Sequence, residues 1–138
     1  MIQLLYVSNA SKELEGEKGI QDILKEAREF NAKNGITGVL MFRGGIFLQL
    51  LEGEEEVVTQ LYEKIEKDPR HDNVINILKT KTDKRLYEEW DMGFKEVSDL
   101  DVKFVNEILS WNKLITNAEE IDEKLILHML TRFKERVS

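Results

Sequence analysis

Cysteine is absent from this chain, and only one proline, Pro69, occurs in its 138 residues. The first absence removes disulfides, thiolate metal sites and a cysteine nucleophile together. Proline-, glycine- and serine-rich linkers are missing too, as are repeats and low-complexity tracts, so one domain is expected. Histidine is scarce: His71 and His128 fall on separate segments and do not form a metal pair. Positive charge is in deficit, at a net −7. A duplex-binding protein usually carries a basic face, so nucleic acid is not an expected partner. The cluster Lys79, Lys81, Lys84 and Arg85 is flanked by acids and reads as a solvated strand end and turn. No apolar run approaches the roughly 18 residues of a membrane span. The start, MIQLLYVSNASKELEG, lacks a basic leader region, so no signal peptide is expected and a cytoplasmic location is. The signatures GxxxxGK[ST], GxGxxG, HExxH and GxSxG are all missing. Most carboxylates fall on outward helix faces, which leaves acid–base catalysis without named residues.

What remains is 41% hydrophobic and 34% charged, enough apolar material for one core. Residues 2–8 alternate as a strand, with Ile2, Leu4 and Tyr6 on one face and Leu5 and Val7 on the other. Both faces are mostly apolar, as in a central strand covered on two sides. Over 19–34, Ile20, Ile23, Leu24, Ala27 and Asn31 recur at helical spacing, and Gly35 stops the helix. ITGVLMF and IFLQLLE flank Gly44 and Gly45, a hairpin signal. Glu54, Glu55 and Glu56 open a second helix at its positive dipole end, and Pro69 helps close it. Residues 74–78 and 90–94 complete the strands. The order β-α-β-β-α-β-β contains the split βαβ pattern of a ferredoxin-like α+β fold, with two helices on one face of the sheet. Amphipathic stretches at 101–112 and 119–136 are expected to be helices that cover the other face or meet a partner.

Three polar side chains interrupt apolar faces. Asn31 lies on the inner stripe of the first helix, Gln49 shares a strand face with Phe47 and Leu51, and Tyr6 shares one with Ile2 and Leu4. Burying an unpaired amide costs on the order of 1–3 kcal/mol, so each needs a partner. Any one of them is satisfied by a silent core hydrogen bond. Three converging on one side of a small sheet leave mutual pairing in the core open, but they are also what a ligand site looks like. Amides and phenols both donate and accept, which suits an uncharged heteroaromatic edge better than a phosphate or a metal.

The chain resembles the BLUF domains, blue-light sensors that use flavin. LLYVSNAS, the Asn31-bearing NAKNGITGVL, GIFLQLLEGEEEVV, DPRH at 68–71 and WDMGF at 90–94 occur in collinear order from about residue 2 to 96. The resemblance implies a ferredoxin-like domain over 1–96, with flavin between its two helices, and the amphipathic stretches beyond it make 97–138 a helical extension of the same globular unit. It implies that Tyr6 and Gln49 are the photochemical pair and that Asn31 hydrogen-bonds the ring edge. It places Ile23 and Ile65 on either side of the ring. Arg70 and His71 would lie near the ribityl and phosphate side, Phe47 and Asp68 would complete the cofactor contacts, and Trp90 and Met92 would carry the signal. Phe30 and Ala27 depart from frequent family choices, at positions that bear on the cofactor tail and ring polarity.

The implied cofactor is FAD, with FMN as the shorter alternative, bound without a covalent link. In the implied mechanism Tyr6 passes an electron and a proton toward the excited flavin, both return, and Gln49 is left rotated or tautomerised. With no output domain expected on the chain, the signal would leave through the helices at 101–136, to a downstream protein or within a homo-oligomer. The chief alternative is a non-photochemical ferredoxin-like module that holds another small heterocycle. An acylphosphatase-type enzyme would need an arginine in the first βα loop, where NASKELEGEKG has none. A purely structural or interaction protein is the third reading.

Overall fold

The computed structural model describes residues 1–14, 16–43, 45–88, 93–96 and Thr131. Within them the order is β1 (Ile2–Ala10), α1 (Gly16–Asn34), β2 (Thr37–Arg43), β3 (Ile46–Gly53), α2 (Glu55–Lys67), β4 (His71–Lys81) and β5 (Gly93–Glu96). The strands form one sheet in the order β4-β1-β3-β2-β5. β3 runs antiparallel between β1 and β2, and β1 runs antiparallel between β3 and β4. Each helix therefore connects two strands with a third inserted between them. These two interlocked split βαβ units are the ferredoxin-like α+β arrangement. β5 adds a parallel edge, with Val39 opposite Gly93.

Helix α1 ends where the sequence requires. Gly35 takes φ +66°, a left-handed conformation that costs glycine little. The Ile36 N–H then returns to the Asn31 carbonyl at 3.0 Å, the six-to-one bond of a Schellman stop. Helix α2 starts on acids, and Glu54 accepts its first bond, from Val58 N–H at 3.0 Å. Its last turn carries Lys64 and Lys67, which suit the negative dipole end.

The helices pack on one sheet face. Ile20, Ile23 and Leu24 of α1 and Val58 of α2 meet Ile2, Leu4, Tyr6, Leu40, Phe47 and Leu51. Full burial of such a side chain stabilises by about 1.5–3 kcal/mol, so this layer sets the sheet against the helices. The other face is apolar as well: Leu5, Val39 and Leu50 have no exposed surface. β2 and β3 approach so closely at Gly38 that a Cβ there would sit 1.9 Å from the Leu50 carbonyl oxygen.

Two local features differ from the sequence expectation. β4 runs from 71 to 81 rather than 74 to 78, because its backbone ladder to β1 continues past the apolar stretch. As an edge strand it tolerates polar residues, and register shifts interrupt the ladder between Leu5 and Tyr6 and between Val7 and Asn9. Arg85 is not part of a solvated cluster. Its guanidinium donates to Thr37 Oγ1 at 2.9 Å, the Glu52 carbonyl at 3.0 Å and the Gly35 carbonyl at 2.7 Å. The expected strand at 90–94 is represented by β5. Trp90 and Met92 lie outside the described residues, as do the stretches 101–112 and 119–136 except for Thr131, which is helical.

Candidate functional site

Tyr6 and Gln49 are directly opposite each other in the β1–β3 ladder. Facing residues on adjacent antiparallel strands bring their Cβ atoms close on the same side of the sheet. The side is the helix side, and there the Tyr6 hydroxyl donates a hydrogen bond to Gln49 Oε1. Both residues are buried, at 1% and 4% exposure. Burial holds the Tyr6 phenol far above the ordinary range, and the nearby Tyr62 and Asp68 raise it further. The phenol is therefore neutral, with its proton directed at the amide.

Above this pair lies a cavity of ≈ 350 Å³ between the helices. That is toward the small end of the roughly 300–1,000 Å³ of small-molecule sites, room for a ring system with its tail extending outward. Ile23, Ala27 and Phe30 wall it from α1, and Leu61 and Ile65 from α2. Lys64, Lys67, Glu26, Asp68 and Arg70 stand at the same cavity. Helical geometry explains the selection. Residues 23, 26, 27 and 30 of α1 and 61, 64 and 65 of α2 follow helical i, i+3, i+4 spacing, so each helix turns one stripe to the cavity, and Asp68 joins the lining from the extended cap that follows α2.

The α2–β4 turn is locked by charge. Asp68 Oδ1 accepts from the Arg70 backbone at 2.9 Å, and Arg70 Nη2 donates to Asp68 Oδ2 at 2.7 Å. The same nitrogen reaches Glu26 Oε2 at 2.7 Å, tying the turn to α1. Burial alone would raise the Asp68 carboxyl, but the hydrogen bonds and charge of Arg70 outweigh it and hold the group below its ordinary value. His71 is 7% exposed, and its Nδ1 bonds Ser8 Oγ at 2.9 Å. Burial holds its imidazole below the ordinary value, with Asp68 opposing and Arg70 reinforcing. The His71 ring lies 6.3 Å from Tyr6 and 4.9 Å from Phe47.

Of the residues expected from the sequence, Tyr6, Ile23, Gln49, Ile65, Asp68, Arg70 and His71 all line the cavity. Asn31 and Phe47 are fully buried beside the helix-side core and are not on its wall. Asn31 is engaged elsewhere, while its Oδ1 accepts no hydrogen bond from the described residues. Ala27 and Phe30, noted only as departures, are wall residues. Glu26, Leu61, Lys64 and Lys67 were not among the expected site residues: Glu26 lies three residues after Ile23 and Leu61 four before Ile65, but Lys64 and Lys67 follow neither spacing from Ile65. The lining fits a flavin: apolar helix stripes for the ring faces, a phenol and an amide for its polar edge, and cations for an anionic tail.

The sequence matches the family BLUF, described as sensors of blue-light using FAD, over residues 1–93. It is 37% identical over 78 residues to the blue light- and temperature-regulated antirepressor BluF of Escherichia coli (strain K12), covering 56% of this chain and 19% of that protein. It is 34% identical over 90 residues to photoactivated adenylate cyclase subunit beta of Euglena longa, covering 64% of this chain and 10% of that one. The chain thus spans a fifth or less of these two relatives. Among solved structures, BlsA in its photo-activated state superposes with a TM-score of 0.78 at 33% identity, over 95% of this chain and 92% of that one. The match across most of the described sheet and both helices establishes the family: this chain belongs to the BLUF blue-light sensors, which use a flavin.

Proposed function

We propose that the cavity floored by Tyr6 and Gln49 holds the flavin ring, and that light rewrites the hydrogen bond between these two side chains. The Tyr6–Gln49 bond at the floor of an apolar cavity carries this reading. A flavin bound there supplies blue-light absorption and a site that can take up an electron. Tyr6 holds the phenolic proton and the electron that such chemistry would draw on, and would take both back afterwards. Its burial keeps the proton in place in the dark. Gln49 retains the change. Its amide has inequivalent ends, so turning or tautomerising replaces an acceptor by a donor toward Tyr6. The missing cysteine accords with a switch made without a covalent bond to the protein.

The remaining residues bind and orient. Ile23, Ala27, Phe30, Leu61 and Ile65 exclude water and bracket the ring. Asn31, held behind the cavity wall, would turn to meet the polar ring edge, and Phe47 supports that wall from the core. Lys64, Lys67, Arg70 and His71 face the ribityl and phosphate side, with Asp68 fixing Arg70. FAD would use the cations Lys64, Lys67 and Arg70 more fully than FMN does. The signal passes along the strand region carrying Trp90 and Met92 to a downstream protein in trans, or within a homo-oligomer, in the cytoplasm. Nucleic acid and membranes are not its targets in this reading.

Gln49→Leu tests the proposal, because leucine fills the site without a polar end. The variant should take up flavin and show no reversible red shift of its absorption in blue light. A normal shift in Gln49→Leu would remove the amide from the mechanism.

A further inference from the structure

A second buried polar site lies on the opposite face of the same strand. Glu52 follows Gln49 by three residues, so the two side chains project from opposite sides of β3. Glu52 has no exposed surface. Its carboxylate accepts three N–H bonds. Oε2 takes Gln3 Nε2 at 3.0 Å and the Leu86 backbone at 2.6 Å, and Oε1 takes the Tyr87 backbone at 2.7 Å. Carboxylate acceptors make these stronger than neutral bonds. The guanidinium of Arg85 adds bonds to Thr37, the Gly35 carbonyl and the Glu52 carbonyl.

The segment held this way has no regular structure of its own. Residues 82–88 contain no helix or strand, yet Tyr87 is fully buried. The anchor ends six residues before β5 begins at Gly93 and pairs with β2. Between them lies the stretch with Trp90 and Met92. A single strand, β3, thus carries the switch amide on one face and the anchor for the approach to β5 on the other.

Resting on the reading of Gln49 given above, we propose that Glu52 is a positioning residue for signal output: it latches segment 85–87 to β3, so that a change at Gln49 alters how β5 is held. β3 carries both sites, and coupling between them requires that this strand take two arrangements which each site biases, the property the exchange experiment reads. A residue with only a stabilising role would speed exchange in the dark when changed but leave the light–dark difference in place.

The test is amide hydrogen exchange on the full flavin-loaded chain, in darkness and under blue light, for wild type, Glu52→Gln and Arg85→Ala. Glutamine keeps the volume of glutamate but turns an amide N–H₂ toward N–H donors. In wild type, light should speed exchange at Leu86, Tyr87 and 93–96. In Glu52→Gln the red shift should persist, those amides should exchange on the order of tenfold faster in the dark, and the light–dark difference should vanish, with Leu4–Val7 of β1 unchanged. Arg85→Ala removes the outer bonds without touching the carboxylate, and should shrink the difference even if Glu52→Gln does not fold. The proposal is overturned if both variants keep the wild-type difference, if exchange rises uniformly through β1, or if wild type shows the red shift without any difference at 85–96. A wild type with no red shift at all instead refutes the Gln49 reading, and the proposal with it.

Discussion

Removing one oxygen atom separates the switch from the binding site. Tyr6→Phe deletes the hydroxyl that donates to Gln49 Oε1 and leaves the ring in place. The edge-on neighbours, Tyr62 at 5.8 Å and His71 at 6.3 Å, keep their partner. The cost arises from the amide. Gln49 is 4% exposed, so its oxygen loses a donor that bulk water does not readily replace. A buried group left unsatisfied costs about 1–3 kcal/mol, and the apolar gain from phenylalanine offsets part of that. A net loss of about 1–2 kcal/mol corresponds to a Tm lower by about 3–10 °C for a domain of this size. Flavin affinity should change less than about tenfold, or 1.4 kcal/mol, because the apolar helix stripes are intact. Thermal denaturation gives the first number, a flavin titration the second, and a light-minus-dark absorption spectrum the function. The expected variant is yellow, slightly less stable and without a reversible red shift. A normal shift refutes the role of Tyr6, and loss of flavin together with the shift makes Tyr6 a binding residue instead.

Acid should weaken the fold in two stages. His71 is held below its ordinary value, so the unfolded chain takes up its proton first and stability falls as pH drops below about 6.5. Asp68 is also held low, so its contribution is present above about pH 3.9 and is lost as pH falls through its folded value. Denaturant midpoints from pH 8 to pH 3 read both stages, and a midpoint that rises toward acid contradicts them. Glu26→Gln should cost less than about 1 kcal/mol, since Glu26 is 62% exposed in its pair with Arg70. Asp68→Asn should cost more in the same urea titration, because Asp68 also caps the backbone of the turn; equal costs would refute that distinction. Gly38→Ala should destabilise by about 3 kcal/mol or more, since its Cβ would meet the Leu50 carbonyl oxygen at 1.9 Å. An alanine variant with an unchanged midpoint would mean that β2 and β3 are not so close.

The fold was legible because apolar period and helix stops agree across the chain. Ile23, Leu24 and Ala27 declare the inner side of α1, and Gly35 closes it with the backbone angle that glycine tolerates. Tyr6 and Gln49 were legible as polar interruptions of apolar strand faces, but only the β1–β3 register shows that they are direct partners. The charged rim was harder to see. Glu26, Lys64 and Lys67 resemble any other solvated helix residue until the two helices stand face to face. Glu52 shows a deeper limit. A glutamate at a strand end reads as a surface group, and its burial depends on backbone N–H groups of residues 86 and 87, which no side-chain pattern records. Arg85 was misread for the same reason, since two of its acceptors are backbone carbonyls. The ends of β4 were set by its ladder to β1 rather than by hydropathy.

The central claim is that light changes the hydrogen bond between Tyr6 and Gln49 on a flavin held between α1 and α2. The most direct measurement is the absorption spectrum of the purified wild-type chain loaded with FAD, before, during and after blue illumination. The account predicts a yellow protein whose flavin bands move to longer wavelength in the light and return in the dark, without bleaching. A protein that stays colourless with FAD, or one whose bands do not move, would contradict it.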